Sequence, residues 1–104
     1  MKRKYRRRRQ RVGEEAITDP IWSARIAKLL LRIGPKPLTT EAILSIGAEQ
    51  FDELHREKIR KLMAAKKKIK LDYYERERFS YARQVLAAAD CVVLVFRDGK
   101  WSRK

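Results

Sequence analysis

Residues 2–11 cannot take part in a hydrophobic core, so the start of the chain is lost to whatever the rest folds into. Eight of the first eleven positions are cations: Lys2, Arg3, Lys4, Arg6, Arg7, Arg8, Arg9 and Arg11. Tyr5 is the one ring among them. Like charges at this density repel, and no apolar surface offsets the entropy of ordering them. Residues 1–15 are therefore expected to be a disordered arm, leaving residues 16–104 to fold. Such an arm makes physical sense beside dense negative charge. Arg outnumbers Lys in it by six to two, and Arg grips a phosphate with two parallel N–H bonds where Lys offers a point charge. The arm points to nucleic acid.

The remaining residues suit one small domain with a modest core, in a chain of 104 residues that is 44% apolar. The formal charge of +14 is unevenly spread. Residues 16–53 are near neutral, whereas residues 54–78 hold ten cations against four acids. The neutral stretch reads as scaffold, with binding surface on either side. Charge of this kind supplies affinity and fast encounter with a polyanion without identifying it.

Several classes are disfavoured. A single cysteine, Cys91, cannot form an internal disulfide, which fits an intracellular, reducing compartment, cytoplasmic or nucleoid-associated. The longest apolar run, 91–96, is strand-sized and far below the ~18 residues of a membrane span. No apolar stretch follows the basic N-terminus as a secretory signal requires. One His and one Cys do not make a metal site, and no phosphate loop, serine elbow or nucleophile with a base is visible. The expectation is a non-enzyme without cofactor or metal.

Asp19-Pro20 is a helix start, and Trp22, Ile26, Leu29, Leu30 and Ile33 recur at helical spacing up to Gly34-Pro35. A short second helix is expected over 40–45, ending near Gly47, and a longer one over 49–68. The latter would turn Phe51, Leu54, His55, Ile59, Leu62 and Met63 inward. Ile69 to Tyr73 alternate apolar and polar residues, as in a short strand or a fraying helix end. A helix over 75–89 would bury Phe79, Ala82, Val85, Leu86 and Ala89, leaving Arg76, Ser80, Arg83 and Gln84 on its other face. Val92 to Phe96, then Asp98-Gly99 and Trp101, form a hairpin signal. Cys91 reads as a small apolar residue entering a buried strand. The fold class is α+β, mainly α: three to four helices and a C-terminal β-hairpin behind a basic arm.

The order of these parts resembles a winged helix-turn-helix domain. The apolar first helix, the connector Gly34-Pro35-Lys36-Pro37 and the entry Leu38-Thr39-Thr40-Glu41 look like that family's opening. The 92–103 hairpin with Asp98-Gly99 at its tip looks like its wing. Together they cover about half the chain. The family has one recognition helix before the wing, whereas residues 48–90 offer two candidates, of which 75–89 is preferred. Arg76, Ser80, Arg83 and Gln84 can bond base edges as well as phosphates. The 49–68 helix offers mostly point charges suited to backbone contact, with Arg60, Lys67 and Lys68 the candidates.

The resemblance implies non-catalytic binding of double-stranded DNA, regulatory or architectural. A helix would sit in the major groove, Arg97 and Lys100 of the hairpin beside it, and the arm along phosphates or a minor groove. Two other classes stay open. An RNA-binding structural protein, such as a ribosomal component, also threads Arg-rich tails among phosphates. A protein-interaction adaptor would dock its helices on a larger nucleoprotein complex. Plain solvation equally accounts for Lys66-Lys67-Lys68 at a helix end, and amphipathic packing accounts for Tyr73, Tyr74 and Tyr81.

Overall fold

A computed structural model describes residues 18–65 and 68–104, with side chains described from residue 71 onward in the second stretch. The elements are α1 (Pro20–Ile33), α2 (Thr40–Leu54), α3 (Arg56–Ala65), α4 (Lys68–Val92), β1 (Leu94–Arg97) and β2 (Lys100–Arg103). The protein is mainly helical with a C-terminal antiparallel hairpin, as the sequence predicts. The arm and its expected disorder lie outside the described residues, as does Lys67.

α1 starts where the sequence places it. The Asp19 carboxylate accepts the Ile21 N–H at 2.8 Å, which satisfies a donor the helix leaves orphaned. Its buried side is Ile26, Leu29 and Ile33, and the chain turns off at Gly34, whose N–H reaches the Leu30 carbonyl. α2 is capped in the same way by Thr39, whose hydroxyl accepts the Ala42 N–H at 3.2 Å. Between the two helices, Leu38 exchanges both backbone hydrogen bonds with Trp101, at 2.9 and 2.7 Å. That bridge adds a single rung of connector to the hairpin edge and fastens the C-terminal strand beneath α2.

The hairpin pairs Leu94 with Arg103, Val95 with Ser102, Phe96 with Trp101 and Arg97 with Lys100. Asp98 and Gly99 have φ of 53° and 76°, the left-handed pair a tight two-residue turn demands. Leu94 and Trp101 point into the core. There they meet Leu29 and Ile33 of α1, Ile43 and Ile46 of α2, and Val85 and Ala89 of α4. The Trp101 indole N–H donates to the Thr40 hydroxyl at 2.8 Å, so the ring is buried with its polar edge satisfied.

Four boundaries differ from the sequence expectation. The predicted 40–45 helix does not stop at Gly47; it runs on as α2 to Leu54, because the missing side chain of Gly47 is what lets α4 approach. The predicted 49–68 helix is consequently divided at His55, which ends α2 with φ −118° and ψ 23°. α4 begins at Lys68 rather than 75, so the Ile69–Tyr73 alternation is helical. Leu71 and Tyr74 extend its inward face, while Asp72 and Tyr73 turn outward. Finally, Val92 closes α4 and the first strand begins at Leu94.

Burial departs from expectation at four residues. Cys91 is exposed on the last turn of α4, not in a buried strand. Leu54, Met63 and Phe79, expected inward, are all more than half exposed. α3 has no buried residue, and only Ile59 and Leu62 are half-buried. It lies on the fold's margin instead of inside it.

Candidate nucleic-acid interface

α4 is a rigid platform because one side of it is tightly packed. Ala82, Val85, Ala88 and Ala89 are buried, and small residues there let α2 come close. The opposite side is set by the 3.6-residue period alone. Arg76, Ser80, Arg83 and Gln84 all fall on it and all are exposed. None makes an ion pair or hydrogen bond among the described residues, so their donors are unspent. The four residues expected to share a face do share it.

Phe79 belongs to that face too. Its ring is 54% exposed, and the Arg83 guanidinium lies over it, 5.7 Å from the centroid. Reading Phe79 as a core residue missed this. The signal was available, since positions 76, 79, 80, 83 and 84 form one helical stripe.

Arg78 sits beside the stripe but is occupied. Its guanidinium donates two parallel hydrogen bonds of 2.9 Å to the Asp52 carboxylate of α2. This bidentate contact raises the Arg78 pKa further above its ordinary value. Lys28 with Glu53 and Arg32 with Glu49 lace α1 to α2 in the same way, at 3.5 and 2.7 Å. These ion pairs occupy Lys28, Arg32 and Arg78, whereas the α4 stripe makes none among the described residues.

The hairpin adjoins the stripe's C-terminal end. Arg83, Leu86 and Trp101 line one open groove together with Thr40 and Leu44. Arg97 and Lys100 face each other across the turn, both exposed. Arg103 is exposed as well, but its guanidinium donates to the Leu30 carbonyl and so helps hold β2 to α1.

Arg60 projects from α3 into a shallow groove with Asp52, Arg56, Ile59 and Met63. Lys68 is the first residue of α4, and its side chain is outside the described set. The arm cations Lys2 to Arg11 are likewise outside it. The α3 cations and the α4 stripe lie on separate elements.

The tyrosines divide. Tyr81 and Tyr74 join Phe51 and His55 in an aromatic cluster with centroid separations of 4.5–6.1 Å. Arg25 caps Tyr81 and Trp22 at 5.0 and 4.9 Å. Burial pushes the Tyr81 phenol pKa up, and the nearby Arg25 charge opposes the shift. Tyr73 is exposed, and its pKa is raised chiefly by a hydrogen bond to Glu77 and by that carboxylate's charge.

Among the described residues, no three His, Cys, Asp or Glu side chains stand close enough to hold a metal ion. No described helix is long and apolar enough to cross a membrane. Comparison with known proteins finds no matching family model, curated protein or solved structure.

Proposed function

We propose that this chain binds double-stranded DNA without catalysing a reaction, as a regulatory or architectural factor of the winged helix-turn-helix kind. α4 enters the major groove with Arg76, Ser80, Arg83 and Gln84 towards base edges. Arg97 and Lys100 meet the neighbouring backbone, and the Arg-rich arm follows phosphates. The observation that carries this reading is the α4 stripe. It presents uncommitted hydrogen-bonding side chains on a helix whose other side is packed against α2 and which leads within two residues into a basic-tipped hairpin.

The geometry favours duplex DNA over duplex RNA as host. An α-helix reading base edges with Arg76, Ser80, Arg83 and Gln84 needs a major groove about 12 Å wide, which B-form DNA provides and A-form RNA does not. α3, with Arg56, Lys58, Arg60 and Lys61 exposed and little core of its own, suits backbone contact.

The test is competition at about 150 mM salt, an ionic strength where the charge-only component is already weakened. A labelled duplex of ~30 base pairs, the length of about three helical turns, is bound by the full chain and challenged with folded RNA of equal charge. Preference for the duplex is expected. Equal or stronger binding of RNA would replace this reading with the RNA-bound structural one. Binding of neither would leave the adaptor role.

A further inference from the structure

Phe79 is the residue on the α4 stripe that neither the core nor phosphate contact explains. Its ring stands exposed between Arg76, one turn before it, and Arg83, one turn after. It lines two open grooves along the α2–α4 contact, as Leu44 does. Leaving such a ring about half in water forgoes part of the burial a Phe gains in a core. Arg83 lies over one side of it, with its N–H donors free among the described residues.

The stripe has limits. Asp72 and Asp90 are exposed near its two ends, and Glu75 and Glu77 along its two edges, where they would repel phosphates and confine close contact to the stripe itself over residues 76–84. Eight helical steps span about 12 Å, the rise of three to four base pairs at ~3.4 Å each. Phe79 and Arg83, four residues apart, are ~6 Å apart along the axis, or one to two base pairs.

The major groove edge of DNA carries one apolar group, the C5-methyl of thymine. It also carries one site that accepts two parallel N–H bonds from Arg, the O6 and N7 of guanine. We propose that α4 recognises a thymine lying one or two base pairs from a guanine, with Phe79 packed on the thymine methyl and the Arg83 fork donating to the guanine. This rests on the duplex DNA reading and gives it a sequence. At the Phe79 position a cytosine would bring a polar N4 amine against the ring, losing water without gaining a partner, so the contact discriminates. Ser80, between the two, can donate or accept and so does not select.

The experiment has two stages. Duplexes bound by the full-length chain are first enriched from a random library. Affinity is then measured for the enriched duplex with single thymines replaced by uracil, which removes only the methyl, and single guanines by 7-deazaguanine, which removes N7. Loss of one thymine methyl should weaken binding about three- to fivefold, as expected for one buried methyl of ~0.8 kcal/mol. A guanine one or two pairs away should show a loss on 7-deaza substitution.

Phe79→Ala should abolish the uracil effect and keep the deaza effect, and Arg83→Ala should do the reverse. Phe79→Leu, which keeps an apolar contact, should retain part of the uracil effect, and circular dichroism of each variant checks that α4 still folds. Enrichment without a consensus, or a consensus bound equally well with uracil throughout, would overturn the proposal and leave DNA binding standing. Uracil sensitivity that persists in Phe79→Ala would overturn it as well. Failure to bind any duplex would remove both readings, as would capture of folded RNA alone.

Discussion

Gly47 of α2 and Ala82 of α4 hold two helix backbones so close that a Cβ on Gly47 would stand 2.9 Å from the Ala82 Cα. Nothing at that contact is the flexible end of a side chain, so the helices themselves would have to part. Gly47→Ala is therefore expected to destabilise the fold. Overpacking of this kind costs about 1–3 kcal/mol, against a helix-propensity gain of up to ~1 kcal/mol for Ala over Gly. Urea unfolding should show a lower midpoint with an unchanged slope. An unchanged or higher midpoint would mean that α4 can shift freely, and its stripe would then not be held rigidly.

Trp101 and Thr40 give a second prediction. Replacing Thr40 by Ala leaves the buried indole N–H without its acceptor. The penalty for such an orphan is roughly 1–3 kcal/mol. With Trp22 replaced by Phe so that Trp101 alone emits, a large red-shift is expected only on global unfolding, and one already present in native buffer would show instead that the hairpin had come loose.

Specificity and affinity should separate between α4 and the arm. Arg83→Ala is expected to reduce discrimination between duplexes by about 1–3 kcal/mol, whereas Arg7→Ala should weaken all sequences alike. An Arg83→Ala protein with unchanged sequence preference would remove the base-reading role of α4.

Salt dependence tests how much of the charge is engaged. If roughly six to ten phosphates are neutralised, affinity should fall by about 10³–10⁵ between 50 and 200 mM salt. Deleting residues 1–11 should flatten that slope markedly. A slope indifferent to the deletion would mean the arm does not touch the polyanion.

Tyr81 predicts an alkaline limit to stability. Its phenol is neutral in the fold and its pKa is raised by burial above the ordinary value of about 10. The folded state thus holds this proton more tightly than the unfolded state. The contribution is complete below the unfolded value and is lost as pH climbs from there through the folded one. Tyr81→Phe removes the ionising group, together with a buried hydroxyl that has no partner among the described residues. Its unfolding midpoint should fall less steeply above pH ~10 than that of the parent chain. Equal slopes would show that other groups set the alkaline limit.

The sequence carried the elements whose signals are local. Asp19-Pro20, Thr39 and Asp98-Gly99 act through their immediate neighbours, and each sits at the boundary it announces. It misled where a distant partner overrides a local rule. Gly47 looks like a helix terminator until Ala82 is known to lie across from it. Residues 69–73 look alternating until Leu71 and Tyr74 are seen to continue the inner face of α4. Of the site, the grouping of Arg76, Ser80, Arg83 and Gln84 followed from helical period. Phe79 is not placed by sequence alone, because an aromatic ring at the border of an apolar stripe fits either face until its exposure is known. Arg78 could not be set aside without knowing that Asp52 holds it.

The rung between Leu38 and Trp101 has a consequence for how the chain is made. α1 and α2 depend for part of their core on Trp101 and Leu94, which are translated some fifty to seventy positions after them. A nascent chain leaving the ribosome therefore holds Ile33, Leu38 and Ile43 without these covering partners until β2 emerges. A stop codon placed just after Val92 should yield a product that is cleared by proteases rather than one that merely lacks a hairpin.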